Sequence, residues 1–144
     1  MHYFVKPFTE LTALEFFEIV KERVAVFVVE QNCPYQEVDD IDPKAIHTYL
    51  KAENGTIVAY TRIYQENEMV HFGRVLVKEG FRELGLGRKI VEETLAVIEK
   101  EFPNQKIVIG AQAHLQAFYA SVGFKVISEV YLEDDIPHID MAIG

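Results

Sequence analysis

The run Lys78-Glu79-Gly80-Phe81-Arg82-Glu83-Leu84-Gly85-Leu86-Gly87-Arg88-Lys89 sets three glycines among four cations, between a strand-like pattern and a long helical one. A helix start presents N–H groups without carbonyl partners and the positive end of the helix dipole, and glycine lets an anion approach the backbone. The chemistry this spacing supports is phosphate binding. Lys78, Arg82, Arg88 and Lys89 are four of the chain's 14 lysines and arginines. Two common phosphate loops do not fit. A Walker A loop needs Ser or Thr after its lysine, and a dinucleotide fingerprint needs a third glycine where Ile90 stands. What remains is Arg-x-x-Gly-x-Gly from Arg82 to Gly87, a short pattern that a glycine turn beside a surface charge cluster also produces.

The chain around this loop has 144 residues, of which 49% are hydrophobic, 12% aromatic and 26% charged, which fits one domain with a sizeable core. Its 14 cationic and 23 acidic side chains leave a formal charge of −9. That balance argues against a dedicated nucleic-acid binder or a lipid-surface binder, because both rely on Lys and Arg. The single cysteine, Cys33, cannot form an intrachain disulfide, and the N-terminal segment lacks a basic stretch followed by an apolar one. No apolar run approaches the roughly 20 residues that cross a bilayer. The expectation is a soluble, cytoplasmic protein with no membrane partner.

Periodicity places the loop within a simple order of elements. His2 to Pro7 reads as a strand, and Thr12 with Glu15 forms a capping-box signature ahead of Ala13, Phe16, Phe17, Val20, Val24 and Phe27 at helical spacing. Gln36 to Lys44, with Glu37, Asp39, Asp40 and Asp42, reads as a solvated acidic loop; with His47 the aspartates have metal-compatible chemistry but no recognised ligand spacing. Three strands follow at His47–Ala52, Ile57–Tyr64 and Met69–Val77 as an antiparallel meander, the first pair joined through Asn54-Gly55, a sequence suited to a type I′ turn, and the second through a polar turn at Gln65 to Glu68. A helix begins at Leu86 and stops at Pro103, Ile107–Ala111 is a short strand, and Ala111, Leu115, Phe118, Tyr119 and Val122 share one face of a further helix that Gly123 would end. Phe124–Val130 and Ile139–Ile143 complete the set as strands. The order predicts an α/β domain with a mixed sheet and helices on both faces.

Two signatures in sequence order connect these elements to a family. Val77 stands five residues before Arg82 and the glycine loop, and Ala117-Phe118-Tyr119-Ala120-Ser121-Val122-Gly123-Phe124 follows after a helix and a strand. Together they resemble the acyl-CoA loop and the second signature of the GNAT acetyltransferase superfamily. Arg23 to Asp39, His47 and Glu133 to Met141 resemble its ElaA-type branch, so the resemblance covers nearly the whole chain. One departure from the broader pattern is Gln112, where an asparagine often precedes the tyrosine by seven residues, a form that the ElaA branch shares.

The resemblance implies a GNAT-like, mostly antiparallel central sheet with a splayed pair of parallel strands, one GNAT domain over residues 1–144, and N-acetyltransferase activity with acetyl-CoA as the acyl donor. Leu76 and Val77 would bond the pantetheine arm through their backbone, and Arg82, Glu83, Leu84, Gly85, Leu86, Gly87 and Arg88 would hold the pyrophosphate. Tyr119 would give a proton or a hydrogen bond to the departing thiolate; a core tyrosine is the plainer alternative. Glu30, His47 and His138 can be weighed as the group that deprotonates the amine, with Glu30 and His138 ranked together ahead of His47. Cys33 reads as a packing residue. Acidic side chains at Glu30, Glu37, Asp39 and Glu133 would favour a cationic amine acceptor. The competing class is a non-catalytic acyl-CoA-binding or sensing module. A homodimer is compatible with the resemblance.

Overall fold

The computed structural model describes residues 1–144. Eight strands, β1 (His2–Pro7), β2 (Ile46–Lys51), β3 (Ile57–Glu66), β4 (Met69–Val77), β5 (Ile107–Gln112), β6 (Lys125–Val126), β7 (Tyr131–Glu133) and β8 (Ile136–Ile143), form one sheet. Its order is β1-β2-β3-β4-β5-β8-β6, with β7 also paired to β8. All neighbours are antiparallel except β4 and β5, which run parallel.

Helices α1 (Ala13–Val24), α2 (Leu86–Glu101) and α3 (Gln116–Ser121) flank this mostly antiparallel sheet, and they give the mixed α/β architecture expected. Thr12 and Glu15 form the reciprocal capping box, the Thr12 hydroxyl accepting from the Glu15 N–H at 3.1 Å and the Glu15 carboxylate from the Thr12 N–H at 2.8 Å. α1 runs into a wider π-helical segment, Ala25–Glu30, which carries the helix on to the neighbourhood of the glycine loop. The two sides of the sheet hold separate cores. Ile19, Val26 and Phe27 pack on Tyr49, Ile57, Tyr60 and Leu76. The larger cluster joins Leu86, Ile90, Val91 and Ile98 of α2 to Leu50, Val58 and Ile63, and it extends to Tyr119 and Phe124.

Several local expectations change. The type I′ turn forms at Asn67-Glu68, where both residues have positive φ (54° and 60°), and not at Asn54-Gly55. At the latter only Gly55 is left-handed (φ 88°), in a longer loop closed by Gly55 N–H to Ala52 carbonyl and Ala52 N–H to Thr56 carbonyl, each at 2.9 Å. Phe124–Val130 does not form one strand: pairing lasts for Lys125–Val126, and a separate strand follows at Tyr131–Glu133. Asp134 and Asp135, again both left-handed (51° and 63°), then turn the chain into β8, which starts at Ile136 instead of Ile139. The last helix spans only Gln116–Ser121, because Ala111 belongs to β5 and Ala113–Leu115 forms a 3-10 turn.

Candidate active site

Parallel strands β4 and β5 share a single register pair, Val70 with Ile107. Beyond it β5 pairs with β8 as far as Gln112 opposite His138, and β4 stays with β3. The strands therefore splay, and their gap opens into a cleft of about 920 Å³. At the apex the His71 Nδ1–H donates to the Val108 carbonyl at 3.0 Å.

β4 carries a bulge at this gap. Two steps on β3, from Tyr60 to Arg62, face three on β4, from Leu76 to Gly73, and Arg74 takes up the extra length at φ 50°. Leu76 and Val77 lie just past the bulge and line the cleft. The Lys78 N–H bonds the Val58 carbonyl on β3 at 2.9 Å, so the Val77 carbonyl of the same peptide points the other way, toward the gap.

The glycine loop closes one end. Gly80, Glu83 and Gly85 are left-handed, at φ 91°, 72° and 75°. The loop turns into α2 at Leu86, where the Lys89 N–H bonds the Gly85 carbonyl at 3.1 Å. The N–H groups of Leu86, Gly87 and Arg88 precede that bond and have no partner inside the helix. Gly87 borders the cleft beside Val77. Leu84 is exposed, and the Arg88 guanidinium bonds the Ser121 hydroxyl on α3 at 2.8 Å.

Tyr119 enters the same cleft from α3. Its ring is held edge-on by Phe118 and Phe124, with centroids 5.0 and 5.9 Å away. The side chain is buried, and its hydroxyl makes no hydrogen bond within the protein. Burial pushes the phenol up to about 12, so it stays protonated at ordinary pH.

The sequence candidates for a base occupy different settings. His138 is buried on the cleft wall, with its ring stacked on Tyr131. Its Nδ1 lies 2.7 Å from the Ile136 carbonyl, which can only accept, so Nδ1 carries hydrogen and Nε2 is left with a lone pair when the ring is neutral. Glu133 approaches that Nε2 at 3.5 Å. Glu30 is bonded through both oxygens by Arg82, at 2.6 and 2.9 Å, and this hydrogen bonding holds its carboxyl below the usual range. His47 does not line the cleft. It is fully buried, donates from Nε2 to the Asp42 carbonyl at 3.0 Å and accepts at Nδ1 from the Tyr60 hydroxyl at 2.6 Å. The Cys33 thiol is also buried, 3.4 Å from the Asp134 carbonyl.

The segment expected to be a solvated acidic loop is instead tied into the protein by three arginines. Fully buried Arg23 bonds Glu37 through Nε and Nη2 and Asp42 through Nη1 and Nη2, at 2.6 to 3.2 Å. Arg62 bonds Asp39 and Asp42, and Arg74 pairs with Glu37 and Asp39. Three cations thus meet three anions, so Asp39 and Asp42 are held by arginines, while Asp40 stays exposed. Of the four acids expected to attract a cationic acceptor, Glu30, Glu37 and Asp39 are each neutralised by an arginine; Glu133 is not. Sequence reasoning passed over Arg23, Arg62 and Arg74. The available signal was position: Arg23 lies on the helical stripe of Ile19, Val26 and Phe27, and Arg62 interrupts an apolar strand.

Burial disfavours the charged forms of Asp42 and Asp39, but hydrogen bonds and charge from Arg23 and Arg62 outweigh it and lower both carboxyls. The Lys6 hydrogen bond likewise brings Glu15 down to about 2. Folded values below unfolded ones contribute stability above the unfolded carboxylate range near 4, and that contribution disappears as pH falls through the folded values. Acid titration followed by circular dichroism should therefore show stability declining progressively from about pH 5 downward. A flat profile to pH 2 would contradict the network's role.

Residues 17–144 match the family described as Acetyltransferase (GNAT) domain, and the chain belongs to it. Protein ElaA of Escherichia coli is 42% identical over 138 residues, covering 93% of this chain and 90% of ElaA. The crystal structure of E. coli ElaA superposes with a TM-score of 0.95 at 40% identity, and that of an acyl-CoA N-acyltransferase from Pseudomonas aeruginosa with 0.95 at 38%, each over the full length of both chains. An aminoglycoside 6′-N-acetyltransferase complexed with coenzyme A shares the fold at 13% identity, with a TM-score of 0.70 over 97% of this chain and 96% of that one.

Proposed function

We propose that this protein is an N-acetyltransferase that uses acetyl-CoA to acetylate a primary amine by direct attack in a ternary complex. The observation that carries the reading is the cleft between splayed β4 and β5, which brings together open α2 N–H groups, the Val77 carbonyl, the unbonded Tyr119 hydroxyl and the His138 lone pair. The relatives' names support the chemistry: one is an acyl-CoA N-acyltransferase, and a fold neighbour was crystallised with coenzyme A.

In this reading the donor's pyrophosphate lies over residues 82–88 at the N-terminus of α2, where Glu83 and Leu84 contribute backbone and Gly85 and Gly87 permit close approach. The pantetheine arm lies along Leu76 and Val77. The amine nitrogen attacks the thioester carbon, a C–N bond forms and the C–S bond breaks. His138 Nε2 takes the proton the amine loses, and Glu133 stabilises the resulting imidazolium. Glu30 is a poorer base because Arg82 occupies both of its oxygens. Tyr119 donates a hydrogen bond to the departing sulfur. With the phenol near 12 and a thiol ordinarily near ~8.5, hydrogen bonding is favoured over complete proton transfer.

A thiol-release assay with acetyl-CoA and a panel of small amines, polyamines and peptides tests the activity. Amine-dependent release is expected. Tight CoA binding with no release from any acceptor would favour a non-catalytic acyl-CoA sensor.

A further inference from the structure

The glycine loop's cations are not equivalent. Lys78 pairs with Glu22 at 2.6 Å, and Arg88 reaches Glu92 at 3.3 Å, neither acid lying on the cleft wall. Arg82 differs: it and its partner Glu30 both line the cleft. Three contacts fix its guanidinium group. Nε donates to the Val77 carbonyl at 2.9 Å, and Nη1 and Nη2 donate to the two Glu30 oxygens at 2.6 and 2.9 Å. A bidentate carboxylate presents two anionic oxygens to the guanidinium fork in the manner of a phosphate. The contact also ties the end of the π-helical segment to the loop, 52 residues away in sequence.

We propose that Glu30 is an internal stand-in for the donor's pyrophosphate and sets donor affinity by competing for Arg82. This rests on the acyl-CoA reading. A donor phosphate that takes the edge of Arg82 formed by Nη1 and Nη2 displaces the Glu30 carboxylate, and a guanidinium that turns to follow the phosphate releases the Val77 carbonyl. Glu30 therefore acts against donors through their anionic part and has no matching effect on a donor fragment that lacks phosphate.

Calorimetric titration of CoA and of pantetheine into the wild-type protein, Glu30→Gln, Arg82→Gln and the double variant tests this. The pair is partly exposed, so removing the competing charge should tighten CoA by about three- to fivefold, in the range of a favourable surface ion pair. Pantetheine affinity should stay within about twofold. Arg82→Gln should weaken CoA, and Glu30→Gln should have no effect in that background. Unchanged or weaker CoA binding in Glu30→Gln, an equal gain for pantetheine, or a gain that persists without Arg82 would each overturn the competition. Failure of the wild-type protein to bind CoA would instead defeat the donor reading itself, and the Glu30 role with it.

Discussion

Replacing Arg23 with methionine should lower the free energy of unfolding by about 3–5 kcal/mol, the range seen when one partner of a buried ion pair is removed. Arg23 and the Glu37 and Asp42 side chains are almost entirely shielded from water, and one guanidinium group serves both carboxylates and the Glu37 carbonyl. Without it two anions remain in the interior with only Arg62 and Arg74 nearby, and desolvation that was compensated becomes a net penalty. Lysine at the same position keeps the charge but not the planar fork, so it should recover only part of the loss. Urea unfolding gives the comparison directly. A loss below about 1 kcal/mol for Arg23→Met would place the network's worth in the range of surface pairs. The damage should also reach the cleft, because Glu37 fixes Arg74 at the β4 bulge.

Tyr119→Phe should reduce turnover at saturating donor and acceptor by about 10²-fold, comparable to losing one donor aimed at developing charge. CoA affinity should change by less than about twofold, since in the proposed reaction the hydroxyl would act on a sulfur whose charge appears only as the C–S bond breaks. The aromatic contacts with Phe118 and Phe124 survive the substitution, so folding should be preserved. Because the phenol does not ionise until about 12, the variant's pH profile should keep the wild-type shape at a lower level. Full turnover in the phenylalanine variant would remove Tyr119 from the chemistry, and an equal fall in CoA affinity would make it a binding residue.

These two residues show how differently sequence can speak. Tyr119 stood out because a tyrosine, a following Gly123-Phe124 and an upstream glycine loop make a local pattern. Arg23 left only a faint mark, a cation on an apolar helical stripe, and its partners lay in a segment whose composition suggested water. Hydrophobic periodicity located α1, α2 and the β2–β4 meander because one buried face per element imposes a repeat on the residues. The same reasoning found a polar turn within Gln65 to Glu68 but gave the I′ geometry to the other hairpin: Asn-Gly is the better I′ sequence, but strand register chose which hairpin received the tight turn. It also merged β6 with β7, since a bend between two short edge strands leaves little trace in periodicity.

By itself the sequence determined the family, through motifs that lie within short stretches of chain, the order of strands and helices that makes a mixed sheet, and a glycine loop with four cations at the start of α2. Only the tertiary structure decided which charges are free. It gave Glu30 to Arg82, closed Glu37, Asp39 and Asp42 around three arginines, and put His138 on the cleft wall with its Nε2 3.5 Å from Glu133. Those assignments join residues from distant elements, and a carboxylate's availability depends on the cation that folding places within about 3 Å of it.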